Sequence, residues 1–299
     1  MSLRIWIWLL SLSILWGGSF FFAKVALAEL PPLSVVFCRV AFAAVALNVV
    51  LAIAGKELFR AGTPWRSFAA MGLMNNLVPF GLIFWGQTQI ASGLASILNA
   101  TTPLFTLLVA HFITRDERVG GVKFGALLLG TVGVAVLMGA RAAIATPGVV
   151  GKVACLGAAL SYAFAGVYGR RFGRMGVAPL EAAAGQVTAS AMLILPIMLV
   201  VDRPWELAAP PSLVTWAALA ALALLSTALA YVLYFRILAV AGPTNLLLVT
   251  FLIPVTAIGL GALVLGERLE PQQFAGMVLI GLALALLDGR LAPFLRLAK

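Results

Sequence analysis

The sequence has few charged residues for its length. Asp, Glu, Lys and Arg make up 10% of the 299 residues, and 63% of the residues are hydrophobic. A soluble domain has about a quarter charged residues, so this composition excludes an ordinary soluble surface and indicates a chain that lies in lipid. A helix that crosses the hydrocarbon layer needs about 20 apolar residues. We predict ten such helices, at residues 5–27, 33–53, 65–89, 92–112, 122–138, 149–172, 178–201, 213–237, 244–265 and 272–287.

Acidic residues are scarce, and none lies in the middle of a predicted span. All ten Asp and Glu residues fall in loops or at helix ends. Proton-driven antiporters commonly have a carboxylate at mid-membrane, so a facilitative carrier is favoured over an obligate proton antiporter. A membrane-embedded transferase or protease would need a catalytic dyad, and no paired acids are present. Lys152 is followed by Val153 rather than by Ser or Thr, so no phosphate-binding loop is predicted.

Histidine and cysteine are also rare, with one His and two Cys in the chain. Cys38 and Cys155 fall within apolar spans, where a thiol usually acts as a small hydrophobe. We therefore expect no disulfide, no metal site and no cofactor. His111 is near the end of the fourth predicted span, where an interfacial hydrogen bond is favoured over a proton relay.

The positive charges are divided unevenly between the two sides of the predicted spans. A net charge of +10 would suggest a nucleic-acid partner for a soluble protein. Here most Lys and Arg residues fall in alternate loops, on the side of the N-terminus. The positive-inside rule then places both termini in the cytoplasm, and we expect no nucleic-acid partner.

The second half of the sequence repeats the first. Adding 151 to a residue number brings Pro103 onto Pro254, Asp116 onto Glu267 and Gly125 onto Gly276 without a gap. We predict two repeats, at 1–140 and 148–290, within a single transmembrane domain. Five helices in each repeat is an odd number, so the second copy enters the membrane from the opposite side. Secondary transporters use such an inverted repeat to open a central site to each face in turn.

Three short motifs resemble a known family. They are Trp16-Gly17-Gly18-Ser19-Phe20, Pro103 with Glu117-Arg118, and Pro254 with Gly266-Glu267-Arg268. With ten spans in two repeats, the chain resembles the EamA-type branch of the drug/metabolite transporter superfamily, and in particular the YddG-type amino-acid exporters of bacterial inner membranes. The resemblance implies export of amino acids, including aromatic ones. The alternative is an exporter of drugs or other small metabolites.

Prolines within the predicted spans suggest where a substrate site lies. Proline removes one helical hydrogen bond and frees the carbonyl four residues earlier, and each freed carbonyl here belongs to a polar residue. A central cavity beside these kinks is our hypothesis; simple bending of the helices is the alternative. The pairs are Pro79 with Asn75, Pro103 with Asn99, and Pro254 with Thr250.

Aromatic and polar residues share helix faces in both repeats. They recur three or four residues apart, and such residues lie on the same side of a helix. A cavity with aromatic walls and a few amides and hydroxyls suits a solute with a polar head and an apolar side chain, although an aromatic stripe is also typical of packing or lipid contact. The further candidates are Trp16, Phe20, Asn76, Phe80, Phe84, Tyr162, Thr227, Tyr231 and Tyr234.

The sequence therefore predicts a secondary transporter whose repeats rock about the Pro103 and Pro254 kinks. Its partners are a small-molecule substrate and the lipid bilayer. A helical scaffold for other proteins would not need polar kinks repeated in each half. For Arg39, snorkelling to the membrane surface is favoured over attraction of a substrate carboxylate. The Gly121 and Gly125 spacing fits a tight internal contact or a dimer face, so monomer and homodimer stay open.

Overall fold

A computed structural model of the protein describes residues 2–60, 62–113, 120–139, 148–246 and 248–287. These residues form helices and loops, with no strand among them. The predicted turn that contains Asp116, Glu117 and Arg118 lies outside the described residues.

Ten apolar helices account for most of the described chain. Nine are long and apolar enough to cross a membrane, and the tenth is slightly shorter. Their bounds agree with the predicted spans within a few residues, so the all-α, ten-helix prediction is confirmed. They are α1 Leu3–Ala26, α2 Pro32–Ile53, α3 Trp65–Gln87, α4 Ser92–Ile113, α5 Gly121–Met138, α6 Val149–Arg174, α7 Pro179–Val201, α8 Leu213–Leu238, α9 Leu248–Leu265 and α10 Pro271–Leu287.

Two of these helices contain a π-helical segment. In α3 it spans Leu73–Leu77, between α-helical stretches at Trp65–Gly72 and Val78–Gln87. In α8 it spans Ala221–Leu229, after Leu213–Ala220. The helical stretch that follows it, Ala230–Leu246, continues beyond the end of α8. When 151 is added to the numbers of the first segment, it falls within the longer second segment. A π segment widens the helix by one residue and is frequent at functional sites.

The two predicted proline kinks differ in form. The fourth helix is interrupted, with segments Ser92–Asn99 and Thr102–Ile113. Pro103 follows the break at the second position of the new segment, where its missing N–H costs little. Pro254 instead lies inside the continuous helix α9. The sharp change of direction in that region is at Gly242, whose φ of 77° and ψ of 171° leave helical geometry.

The helices pack in pairs that follow the sequence repeat. The main contacts are α1 with α8 and α9, α6 with α3 and α4, α2 with α7 and α8, α7 with α3, α4 with α9, and α5 with α10. We can exchange each helix of the first half for its equivalent in the second half, α1 for α6, α2 for α7 and so on. Each pair then becomes another pair of the same set or stays the same pair. The two halves are therefore interleaved, and every helix of one half contacts the other half.

Small residues allow the closest of these contacts. A Cβ atom at Gly276 would lie 2.6 Å from Leu137 Cβ and 2.7 Å from the carbonyl oxygen of Gly133, so α5 and α10 touch through their backbones. Gly281, on the same helix as Gly276, has no such neighbour within 4 Å, nor has Gly121. Gly121, whose spacing from Gly125 fits a tight internal contact or a dimer face, therefore makes no close contact within the described chain.

Candidate functional site

A cavity of about 660 Å³ lies between the two halves. Residues of both halves line it, from α1 to α4 and from α6 to α9. The lining extends to Gly173, Val177 and Pro179 at the connection between α6 and α7. Because the helices alternate in direction, this connection is on the face of the N-terminus. The cavity therefore reaches that face, which we call the near face; the opposite one is the far face.

Most of the predicted substrate-binding residues lie on the wall of this cavity. Asn76 does not: it is fully buried, and its Nδ2 donates a hydrogen bond to Ser190 Oγ at 3.0 Å. His111 and the three kink prolines also lie outside the lining. The predicted residues on the wall are Trp16, Phe20, Asn75, Phe80, Phe84, Asn99, Tyr162, Thr227, Tyr231, Tyr234 and Thr250.

Arg39 is on the cavity wall, inside the protein. It is 6% exposed. Its Nε donates to Thr227 Oγ1 at 3.0 Å, and its guanidinium carbon is 3.7 Å from the centre of the Phe80 ring. The expectation that Arg39 snorkels to the membrane surface was wrong, because α3 and the π segment of α8 enclose its side chain.

An amide cluster connects the two halves across the cavity. Asn75, at the π segment of α3, donates from Nδ2 to Gln186 Oε1 at 3.0 Å and to the hydroxyl of Tyr231 at 3.3 Å. Sequence reasoning missed Gln186. The signal that would have found it is an amide in the middle of the apolar span 178–201, where a polar side chain is costly without a partner.

Two polar atoms of cavity-lining residues have no hydrogen-bond partner in the described part of the protein. They are Asn99 Oδ1 and Ser226 Oγ. Nearly all buried polar atoms in proteins are paired, so two unpaired atoms in the residues that line one cavity are unusual.

Aromatic rings form much of the remaining wall. Phe80 and Phe84 stack with their centres 6.1 Å apart, and Tyr162 meets Phe80 edge-on at 6.5 Å. Trp16 and Tyr234, from opposite halves, are 5.7 Å apart. The cavity therefore offers a mainly apolar, aromatic surface together with one cation and several amides and hydroxyls.

Three carboxylates join the two halves on the far face. Each accepts hydrogen bonds from the backbone N–H and the hydroxyl of a serine near the start of a helix in the other half. The first turn of a helix has unpaired N–H groups and a partial positive charge, so a carboxylate there is stabilising. The pairs are Glu29 with Ser212 of the α8 N-cap, Asp202 with Ser34 of α2, and Glu267 with Ser92 of α4. We call these three pairs the far-face caps.

The Glu29 cap is outside the spans, and its electrostatics are simple. The backbone N–H and hydroxyl of Ser212 donate to the Glu29 carboxylate at 2.6 and 2.7 Å. These bonds favour the ionised carboxylate, and they hold its pKa below the ordinary 4.5. The cap is therefore intact at neutral pH and weakens as the pH falls through that lowered pKa.

The Glu267 cap lies beside further connections. The Glu267 carboxylate accepts from Ser92 N, Ser92 Oγ and Gly93 N. The Lys24 ammonium donates to the carbonyls of Gln87 and Ile90 in the turn before α4. This end of the cavity is thus closed by the ends of α1, α3, α4 and α9. Glu267 therefore caps the start of α4, the helix that is interrupted before Pro103.

Ten apolar helices around a substrate-sized cavity with aromatic walls and a few polar groups define a multi-pass membrane transporter. The model of the EamA-like transporter family matches residues 3–139 and again residues 149–287. The chain belongs to that family, and each half is one copy of its repeat.

Relatives of similar length support the assignment. The uncharacterized transporter YoaV of Bacillus subtilis is 26% identical over 93% of this chain and 94% of its own length. The protein PecM of Dickeya dadantii is 28% identical over 91% of this chain and 88% of its own. A probable amino-acid metabolite efflux pump of Salmonella typhimurium is 27% identical over 89% of each chain. YedA of Escherichia coli, named an inner membrane transporter, is 26% identical over 93% of this chain and 88% of its own. A crystal structure at 20% identity superposes with a TM-score of 0.68, over 95% of this chain and 97% of that one, and supports the fold.

Proposed function

We propose that the protein exports amino acids, including aromatic ones, across the bacterial inner membrane. The observation that carries this proposal is the cavity of about 660 Å³, which is large enough for a solute of this size and combines aromatic walls with a few polar groups. The similarity to an amino-acid metabolite efflux pump supports the same reading.

The proposed mechanism is alternating access by two inverted halves, 1–140 and 148–290. The helix pairs that exchange into one another and the π segments at equivalent positions support a two-fold relation between the halves. With an odd number of helices in each half, that relation makes the second half inverted. With both termini in the cytoplasm, the near face is cytoplasmic and the structure corresponds to an inward-facing state.

The far-face caps act as the outer gate in this mechanism. Opening the cavity to the far face requires α4 to separate from α9, since residues of both helices line the cavity and their ends meet at Ser92 and Glu267. The break between Asn99 and Thr102 gives α4 a point at which its outer segment can tilt. Substrate released from the cavity then leaves on the side opposite the termini.

Transport follows the substrate gradient in this proposal. The lining includes Arg39 but no Asp or Glu among the residues that the structure describes, and the gate carboxylates are already bonded to serines and helix N-termini. Facilitated diffusion is therefore favoured over obligate proton exchange.

Uptake of labelled phenylalanine into liposomes that contain the purified protein tests the proposal. We expect saturable uptake without a pH gradient, with little change when a gradient is imposed. Protein-free liposomes and liposomes with heat-denatured protein are the controls. Uptake that occurs only with the gradient would refute facilitated diffusion. No uptake of any amino acid would favour the alternative, an exporter of other small metabolites or drugs, which a substrate panel would then identify.

A further inference from the structure

Arg39 is a charged residue within a membrane-spanning helix, where charged residues are rare. It lies about 10 Å along α2 from Pro32, at 1.5 Å of rise per residue. Its side chain is enclosed by the protein at 6% exposure and contributes to the cavity wall. An ionisable group inside a membrane protein usually faces a partner or a substrate path, because its burial is costly.

No carboxylate in the described part of the chain forms an ion pair with Arg39. The ion pairs of the described chain join Arg60 to Glu181 and Arg203 to Glu206, both near helix ends. Arg39 instead donates a hydrogen bond to Thr227 and stacks on Phe80 and Phe84. The hydroxyl groups of Tyr162 and Tyr231 lie near enough to interact with its charge. A guanidinium has five N–H donors. One of them, on Nε, is used by Thr227, and Nη1 and Nη2 have no protein acceptor among the described residues.

The orientation of this group is nevertheless fixed. The Phe80 ring covers one face of the guanidinium at 3.7 Å, and the Thr227 hydroxyl holds its Nε. Thr227 in turn donates to the carbonyl of Leu222 within the π segment of α8. A guanidinium that is held in place with its two terminal nitrogens free matches the two oxygens of a carboxylate.

The rest of the cavity wall that the structure describes has no carboxylate to pair with a cation. Its polar groups are neutral amides and hydroxyls, and Arg39 is the one formally charged residue in the lining that the structure describes. An ammonium group in the cavity would meet neutral oxygen atoms and no negatively charged side chain among the described lining residues. The positive charge of Arg39 therefore favours the carboxylate of an amino acid over its ammonium group.

We infer that Arg39 binds the carboxylate of the substrate, and that the cavity selects compounds with one carboxylate and an apolar or aromatic body whether or not they have an amino group. This inference rests on the proposed export function and narrows its substrate class. The aromatic body packs against Trp16, Phe84 and Tyr162, while the carboxylate accepts hydrogen bonds from Nη1 and Nη2 of Arg39. Cationic compounds that lack a carboxylate are excluded by repulsion.

Competition against labelled phenylalanine tests the inference on the unmodified protein. Phenylalaninamide keeps the ammonium and loses the carboxylate, whereas N-acetylphenylalanine and 3-phenylpropanoate keep the carboxylate and lose the ammonium. Charge-assisted hydrogen bonds predict that the amide competes on the order of 10- to 100-fold more weakly than phenylalanine. The two acids compete within roughly 10-fold of phenylalanine. An amide that competes as well as phenylalanine would overturn the inference.

Arg39→Gln tests the residue itself. We expect it to raise the KM for phenylalanine on the order of 10- to 100-fold and to abolish the preference for acid over amide; Arg39→Lys recovers part of that preference. A purely structural role for Arg39 would instead lower activity without changing the ratio between acid and amide. A variant that keeps the full preference would contradict the assignment.

Ligand-induced thermal stabilisation separates this inference from the export proposal. It measures binding of 3-phenylpropanoate to the purified protein without any transport. In one outcome, phenylalanine uptake fails but 3-phenylpropanoate raises the melting temperature of the unmodified protein and not that of Arg39→Gln. This outcome would support the carboxylate site and refute the proposed export of amino acids. If neither acid stabilises the unmodified protein more than the amide does, the carboxylate site is refuted.

Discussion

Cross-linking residue 92 to residue 267 stops transport, and removing the cross-link restores it. The experiment uses Ser92→Cys with Glu267→Cys in a chain whose native Cys38 and Cys155 are replaced, and a short cleavable bifunctional thiol reagent. Ser92 Oγ and Glu267 Oε2 are 2.7 Å apart and belong to opposite halves. Opening the far face must separate them, so the cross-linked protein is held in the state in which the cavity reaches only the near face. Uptake of labelled phenylalanine should fall to the level of protein-free liposomes.

A matched pair on the same face controls for the reagent. Arg203 and Glu206 form an ion pair of 3.4 Å within one short turn at Pro204–Glu206, so a cross-link between cysteines at these positions restrains no movement between the halves. Uptake by that variant should survive the reagent. Full transport by the cross-linked 92–267 pair would show that this contact is not a gate.

Gly276→Ala should destabilise the protein far more than the small size of the added methyl group suggests. The added Cβ would lie within 3 Å of the Gly133 carbonyl oxygen and of the backbone and Cβ of Leu137. Neither backbone can move away without separating α5 from α10. Overpacking of this kind costs about 1–3 kcal/mol, which should appear as a lower melting temperature in detergent and a lower yield of folded protein.

Gly281→Ala is the matched control on the same helix. No atom outside the local helix lies within 4 Å of the added Cβ, and alanine favours a helix over glycine by about 1 kcal/mol. This variant should be as stable as the parent or slightly more so. Equal melting temperatures for the two variants would mean that the close contact of α5 with α10 contributes little to stability.

The helices could be read from the sequence because lipid imposes a simple rule on them. A span must be long and apolar, and Gly, Pro and charged residues interrupt it at the ends. The repeat could be read as well, since Pro103 and Pro254 mark equivalent helices. Residues such as Asn99, Thr227 and Tyr231 could be chosen as candidates because polar groups inside an apolar span are uncommon.

Contacts between helices far apart in sequence could not be read in the same way. Arg39 lies near enough to a helix end to reach the membrane surface, and only the packing of Phe80 and Thr227 around it turns it inward. Asn76 and Asn75 are adjacent in sequence, yet the π segment at Leu73–Leu77 directs only Asn75 to the cavity. The non-helical backbone at Gly242, just before α9, was not predicted from the sequence.

Labelling of a single cysteine from both faces tests the central claim, that one cavity opens to each side in turn. The variant is Thr250→Cys in the cysteine-free chain, since Thr250 lies on the cavity wall between the two faces. We predict that a membrane-impermeant thiol reagent labels it from either face and that phenylalanine protects it from both. Labelling from the near face alone, in protein that transports phenylalanine and is not cross-linked, would contradict alternating access through this cavity.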